Sequence, residues 1–275
     1  MNIFFYDASF EGFLTVVFES YRLKIVPDTI VEEAEVLPLF SDNVLHISAD
    51  EQKAQRVWKG LKKKLSPAAC SMISVVFLAD DPSIPMLLFR YIRKAIDAPK
   101  SIETNFGGGD VLEAAKWYKK VGREAERVRQ FVRFQKTEDD IFFAPVAPLH
   151  NVLPLAVEHF ADRFSDQKWL VYDTRRKYGF FYDPARADLQ SACPSCTGCT
   201  DCKSAQAVVE VTFDHLQINP RIGTINPDMM AEDESLFQQM WKAYFKSMTI
   251  KERINPKLHR QNMPRRFWRY LTEKH

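Results

Sequence analysis

The chain is 275 residues long, 46% hydrophobic and 13% aromatic, which suffices for a full core in one large or two small domains and excludes a disordered, low-complexity polymer. Its net charge of +2 singles out no class of partner. No basic leader with an apolar stretch opens at MNIFFYDAS, and the longest apolar run, residues 67–79, is shorter than the roughly 20 residues that cross a bilayer, so the sequence predicts a soluble, cytoplasmic protein with no membrane partner.

Residues 2–7 (NIFFYD) read as a strand, followed by a helix in which Phe10, Phe13, Leu14, Val17, Phe18 and Tyr21 recur at helical spacing as a core stripe. A second helix opens at Asp50 and turns Ala54, Val57, Trp58 and Leu61 inward, leaving Lys53, Arg56, Lys59, Lys62, Lys63 and Lys64 as its solvated remainder. Cys70, in an apolar run, reads as a buried small hydrophobe. At 80–85 (DDPSIP) the pattern breaks, which places a boundary between an N-terminal α/β segment, 1–80, and a main α+β domain, 81–250.

The segment NFGGGD (105–110) leads into the longest helix, with Asp110 as its expected N-cap. Val111, Ala114, Ala115, Tyr118, Val121, Ala125, Val128 and Val132 form one stripe, and Lys116, Lys119, Lys120, Arg123 and Arg127 lie opposite it, with Arg129 and Arg133 at the flank. Such a basic rail can follow a phosphate backbone, and it can equally be a solvated helix face interrupted by Glu113, Glu124 and Glu126. The GGG at 107–109 could seat a phosphate or form a turn, and it matches neither the P-loop nor the dinucleotide fingerprint.

Beyond it come a strand at 141–146 (IFFAPV), a helix carrying Leu153, Ala156, Val157, Phe160, Ala161 and Phe164 on one face, and strands at 169–173 and 178–183 joined through TRRK as a hairpin. Residues 207–213 (AVVEVTF) read as a further strand, and the next helix is expected to bury Leu236, Phe237, Met240, Trp241, Tyr244, Phe245 and Met248. The order implies an α+β fold, a largely antiparallel sheet packed by several amphipathic helices, with a cysteine-bearing loop between two strands.

That loop, 193–202 (CPSCTGCTDC), is the sharpest ligand signal in the chain. Cys193, Cys196, Cys199 and Cys202 can supply four thiolates to a zinc ion, or hold an iron-sulfur cluster, or remain an unmetallated loop. Zinc is preferred, although its knuckles are usually further apart and the fourth cysteine of a ferredoxin run follows at a different spacing.

The basic aromatic tail, 251–275, holds eight lysines and arginines against Glu252 and Glu273. Lys251, Arg253, Arg260, Arg265, Arg266 and Arg269 are candidate phosphate contacts, and Trp268, with Phe267 and Tyr270, could stack on bases or dock the terminal helix. Candidate acid–base residues are His150, His159, Asp7 and Glu11, with Asp173 and Asp183 as further carboxylates, each of which has an ordinary structural reading. Zinc-deaminase, serine-hydrolase, zincin and kinase signatures are absent.

Several blocks together, YDASFEGFL, FVRFQKTEDDIFFAPVAPLHNVLPL, HFADRF, WLVYDTRRKYGFFYD and IKERINPKLHRQNMPRRFWRYL, resemble a bacterial family assigned to DNA repair or DNA metabolism. The resemblance implies a radical-SAM partner protein and a central domain of unknown function that also occurs fused to uracil-DNA-glycosylase-like domains. It carries over no catalytic residue. This chain has Glu126 where a histidine is common, and its cysteine loop is an insertion relative to shorter hairpins. The combined expectation is a protein of DNA repair or modification that binds DNA through the helix and tail. The alternatives are an enzyme acting on DNA or nucleotides, and a scaffold that binds the partner without DNA.

Overall fold

The computed structural model describes residues 1–32, 43–99, 102–103, 108–189, 208–212, 229–250 and 255–274. The cysteine quartet, Lys251 and Arg253 lie outside the described residues. The chain forms two compact units, Met1–Gly122 and Arg123–His275.

In the first unit, β1 (Asn2–Tyr6) is the middle strand of a three-stranded parallel sheet, flanked by β2 (Thr29–Glu32) and β3 (Asn43–His46). Phe4 of β1 is fully buried, as its near-continuous apolar run requires of a parallel strand covered on both faces. The connection to β2 is α1 (Phe10–Leu23), whose Ser9 N-cap accepts from Gly12 N–H and whose Lys24 closes the helix in the left-handed region at φ 57°. Phe10 meets Trp58 of α2 (Glu51–Lys64) and Phe77 of α3 (Pro67–Phe77) edge to face, at 5.4 and 5.2 Å between centroids. The break expected at 80–85 is a turn between α3 and α4 (Ile84–Asp97) inside this unit. Asp50, where the sequence opens the second helix, caps α2: its Oδ1 accepts from the Lys53 N–H and its own N–H donates to the Thr15 hydroxyl.

α5 (Gly109–Phe131) runs through the division at 122/123. Asp110 is not its cap: the carboxylate lies inside the first turn and binds Arg90 and Lys94 of α4, which hold it below its ordinary pKa against the opposing effect of burial. The predicted apolar stripe is buried at Val111, Ala114, Val121, Ala125 and Val128, while Tyr118 is exposed.

In the second unit, five strands pair in the order β4 (Gln135–Lys136), β5 (Phe142–Val146), β6 (Trp169–Asp173), β7 (Tyr178–Tyr182), β8 (Val208–Thr212). All neighbours are antiparallel except β5 and β6, which are parallel because α6 (Leu153–Arg163) carries the chain between them. The TRRK hairpin forms as predicted, with Trp169 opposite Tyr182 and the two rings stacked at 5.2 Å. Gly179 of β7 sits where a Cβ would come within 2.4 Å of the Val171 carbonyl. β6 is buried along its whole length. One face packs Phe143, Leu170 and Tyr172, and Phe134, Phe160, Trp169 and Tyr182 form an aromatic cluster with α6. The fold is therefore α+β, its larger sheet mixed and mostly antiparallel. β7 is followed by α7 (Pro184–Leu189), and β7 and β8 are neighbours.

α8 (Glu234–Met248) departs from its sequence reading. Its apolar residues are not buried: Leu236, Phe237, Met240, Tyr244 and Met248 are each more than half exposed. Periodicity identified an apolar face correctly, but the second unit covers little of it. The tail folds as α9 (Pro256–Asn262), α10 (Arg265–Trp268) and a 3-10 turn (Thr272–Lys274).

Candidate functional site

The α5 rail divides by partner. Lys116, Lys119, Lys120 and Arg123 are exposed and, among the described residues, have no carboxylate at ion-pair distance; Lys120 Nζ lies 3.8 Å from the centroid of the Trp117 ring. Further along, the same kind of residue is structural. Arg127 lies 3.5 Å from Glu124, Arg129 binds Glu126 and the Leu155 carbonyl, and Arg133 binds Glu273 at 2.9 Å.

Glu124 is the anchor that sequence reasoning missed. At 2% exposure it accepts from both Nε and Nη2 of Arg266 and from the Leu149 N–H at 3.0 Å. Arg266 is thereby committed to the protein interior rather than to phosphate. The Leu149 carbonyl in turn accepts from Arg175 and Arg176, and Arg176 binds the fully buried Asp173, whose Oδ1 also accepts from the backbone N–H groups of Arg175 and Arg176. Tyr178 donates to Asn151, and Thr174 meets the Tyr270 hydroxyl at 3.1 Å. This network ties the 147–152 loop, the hairpin turn and the tail together at the carboxyl ends of β5 and β6.

His150 lies half-buried within that fixed loop, whereas His159 is exposed on α6 with its ring against Phe160. Asp7 and Glu11 belong to the first unit. Asp7 Oδ1 accepts from the Ser9 N–H and hydroxyl, organising the start of α1, and Glu11 is exposed in the first turn of that helix. Asp173 is consumed by its hairpin, and Asp183 accepts from Ala185 N–H at the start of α7. Asp7, Asp173 and Asp183 thus each carry a separate local task.

The tail aromatics dock, and so do some of its cations. Phe267, Tyr270 and Leu271 are buried, with Phe131 5.5 Å from Phe267. Trp268 is half-buried in a groove of about 1020 Å³ that also takes in Phe131, Phe245, Arg260, Arg265 and Lys274. Lys274 Nζ stands 5.0 Å and the Arg265 guanidinium 5.8 Å from the Trp268 ring centroid. His259 lines the same groove; burial first, and then Lys274, hold its imidazole below the ordinary 6.5, so it is neutral at pH 7. Arg260, Arg265 and Arg269 are exposed. No group of three or more histidine, cysteine or acidic side chains with metal-ligand geometry occurs among the described residues, and no helix there is long and apolar enough to cross a membrane.

Fold and site together define an α+β protein whose second unit combines an internally neutralised arginine–carboxylate network with an aromatic, cation-lined tail. The chain belongs to the family described as DUF4130, a domain of unknown function, which matches residues 82–273. The match takes in α4 and α5 as well as the second unit. Among curated proteins none matches the chain. Of solved structures, the pGpG-specific phosphodiesterase of Vibrio cholerae aligns over 90% of this chain and 100% of its own at 11% identity, with a TM-score of 0.26, too low to carry an argument.

Proposed function

We propose that this chain is a DNA repair or DNA modification protein that holds nucleic acid through the exposed cations of α5 and the aromatic groove of its tail, acting with a radical-SAM partner. The observation that carries the reading is the rail of Lys116, Lys119, Lys120 and Arg123. Four exposed cations fall within about 100° of helix surface, with no carboxylate at ion-pair distance among the described residues. Arg260 and Arg265 beside Trp268, with Arg269 over the Tyr270 ring, add the pairing of cation and ring that single strands use. Arg127, Arg133 and Arg266 are left out, because ion pairs within the protein occupy them. Cys193, Cys196, Cys199 and Cys202 would bind zinc as a staple, with an iron-sulfur cluster as the alternative.

The test is the salt dependence of binding to duplex and single-stranded oligonucleotides. Each phosphate contact contributes roughly 0.7–0.9 to the slope of log affinity against log salt, so replacing Lys116, Lys120 and Arg123 with alanine should flatten it by about 2–3 and weaken all sequences alike. Absence of binding to either form at low salt defeats the reading. An enzymatic alternative rests on His150, which a polar network fixes at the carboxyl ends of two parallel strands, the edge where α/β sheets commonly bind ligands.

A further inference from the structure

We propose that the cavity between α8 and the first strands of the larger sheet is a pocket for a single unpaired nucleobase, with guanine the base its polar groups fit best. The cavity measures about 700 Å³, a size typical of small-molecule sites. It is built from both sides. Glu234, Phe237, Gln238 and Trp241 recur at i, i+3, i+4 and i+7, so one face of α8 supplies them all, and Phe142 of β5 lines the sheet side. Main-chain bonds fix the approach to that helix against β4: Glu138 N–H donates to the Met229 carbonyl at 3.2 Å and Ala231 N–H to the Lys136 carbonyl at 3.1 Å. Trp241 is oriented by the 3.0 Å bond its Nε1 donates to Glu273. The aromatic walls are therefore set before any ligand arrives, which favours a flat ring that can stack on them.

The polar groups select among flat rings. Glu234 is 7% exposed, accepts from the Lys136 N–H and from the Gln238 amide, and meets no cation at ion-pair distance among the described residues. A carboxylate so buried keeps lone pairs beyond those two bonds and a charge that no neighbouring cation offsets. Asp233, which also lines the cavity, is exposed and makes no side-chain cap bond. The cations at the edge are already taken, Arg133 by Glu273 at 2.9 Å and Lys136 by Asp140 at 2.7 Å. The pocket thus offers acceptors without an unpaired positive charge, which suits a ring bearing N–H donors and leaves phosphate outside. Guanine sets two donors side by side, at N1 and the exocyclic N2, where one carboxylate takes both; adenine and cytosine bring only an exocyclic amine, and uracil a single ring N–H. A strand as the source of that base rests on the DNA-binding reading above, whereas a free nucleotide would meet the same pocket chemistry.

Isothermal titration of the full chain with guanosine 5′-monophosphate, in about 0.5 M salt to suppress phosphate contacts, should give a Kd of roughly 10–100 µM. Inosine monophosphate, which lacks the N2 amine, and uridine monophosphate should bind about tenfold more weakly, and ribose 5-phosphate should not bind. Phe237→Ala should weaken every base by about tenfold, and Asp233→Asn should remove the preference for guanine while stacking persists. Both side chains are exposed, so the circular dichroism of each variant should match the parent. Oligonucleotides tell the two sources apart. A single strand with one guanine in a run of thymines should outbind the all-thymine strand where the base comes from DNA, and should gain nothing where only the free nucleotide enters. No binding of guanosine monophosphate at millimolar concentration, equal affinity for every base, or indifference to both Phe237→Ala and Asp233→Asn would overturn the pocket and leave the α5 rail with its salt dependence standing. Guanosine monophosphate bound by a chain without affinity for any oligonucleotide would defeat the DNA-binding reading and leave the pocket.

Discussion

At the scale of single residues, the chain uses arginine in two ways that look alike in sequence and differ in burial. Arg123 and Arg127 sit one helical turn apart on α5, yet Arg123 is exposed while Arg127 lies beside the buried Glu124. Glu124 looked like an interruption of the rail; it is the partner that turns Arg266 inward. Removing a buried counterion leaves its carboxylate unpaired, so Arg266→Ala should destabilise the second unit by about 3 kcal/mol in urea unfolding, although the Leu149 N–H and Arg127 soften the loss. Glu273 offers a pH signature. Burial raises its pKa, but its own backbone N–H, Trp241 and Arg133 together outweigh that and leave it below the ordinary 4.5. A carboxylate depressed in the folded state contributes stability in full above its unfolded pKa and loses it as pH falls through the folded value. Glu273→Gln should therefore cost about 1–3 kcal/mol at neutral pH, and the gap to the parent in urea midpoint should close as pH drops below about 4. A gap independent of pH would show that the ionised form is not what matters.

At the scale of elements, periodicity was informative wherever the unit that covers a face is close at hand. α1, α2, α5 and α6 were legible from apolar spacing, and the β6–β7 hairpin from two short apolar runs around TRRK. β2 and β3 were not: each is four residues long, and each exists because β1, distant in sequence, pairs with it, which local pattern does not reveal. α3 and α4 were read only as an apolar run and a break. α8 shows the opposite limit, since an apolar face can be read from spacing while its coverage cannot. The acid–base candidates failed for a related reason: Asp7, Asp173 and Asp183 are turn and cap residues, a use of aspartate as common as catalysis and indistinguishable from it by type alone. Gly179 supplies an element-level test. A Cβ there meets the Val171 carbonyl at 2.4 Å and Tyr172 Cα at 3.0 Å, both backbone atoms of the paired strand, so neither can rotate away. Gly179→Ala should open the hairpin and lower stability by roughly 2–3 kcal/mol, read as a lower urea midpoint and faster amide exchange in β6 and β7. Substitution at Gly60, where nothing lies within 4 Å, should leave the fold intact.

At the scale of the whole molecule, family membership fixes the extent of the shared domain without supplying a chemistry, and the sequence's strongest chemical signal lies in the cysteine loop, outside the described residues. The four clustered thiols and Cys70 can be separated by reactivity. Cys70 is buried on α3, and burial pushes its thiol above the ordinary pKa of 9.0, so it should resist alkylation in the native state and react on unfolding. Anaerobically purified protein should carry about one zinc ion per chain, lost when Cys193, Cys196, Cys199 and Cys202 are all replaced by serine. That variant should keep one thiol, protected until denaturant is added, and should retain affinity for DNA if the metal is a staple apart from the α5 rail. Elemental analysis and thiol titration decide the first two points, and salt-dependent binding decides the third. Iron and labile sulfide in place of zinc would reassign the site to a cluster. Loss of DNA affinity together with the metal, with the fold intact, would move the nucleic-acid contact from the rail to the cysteine loop.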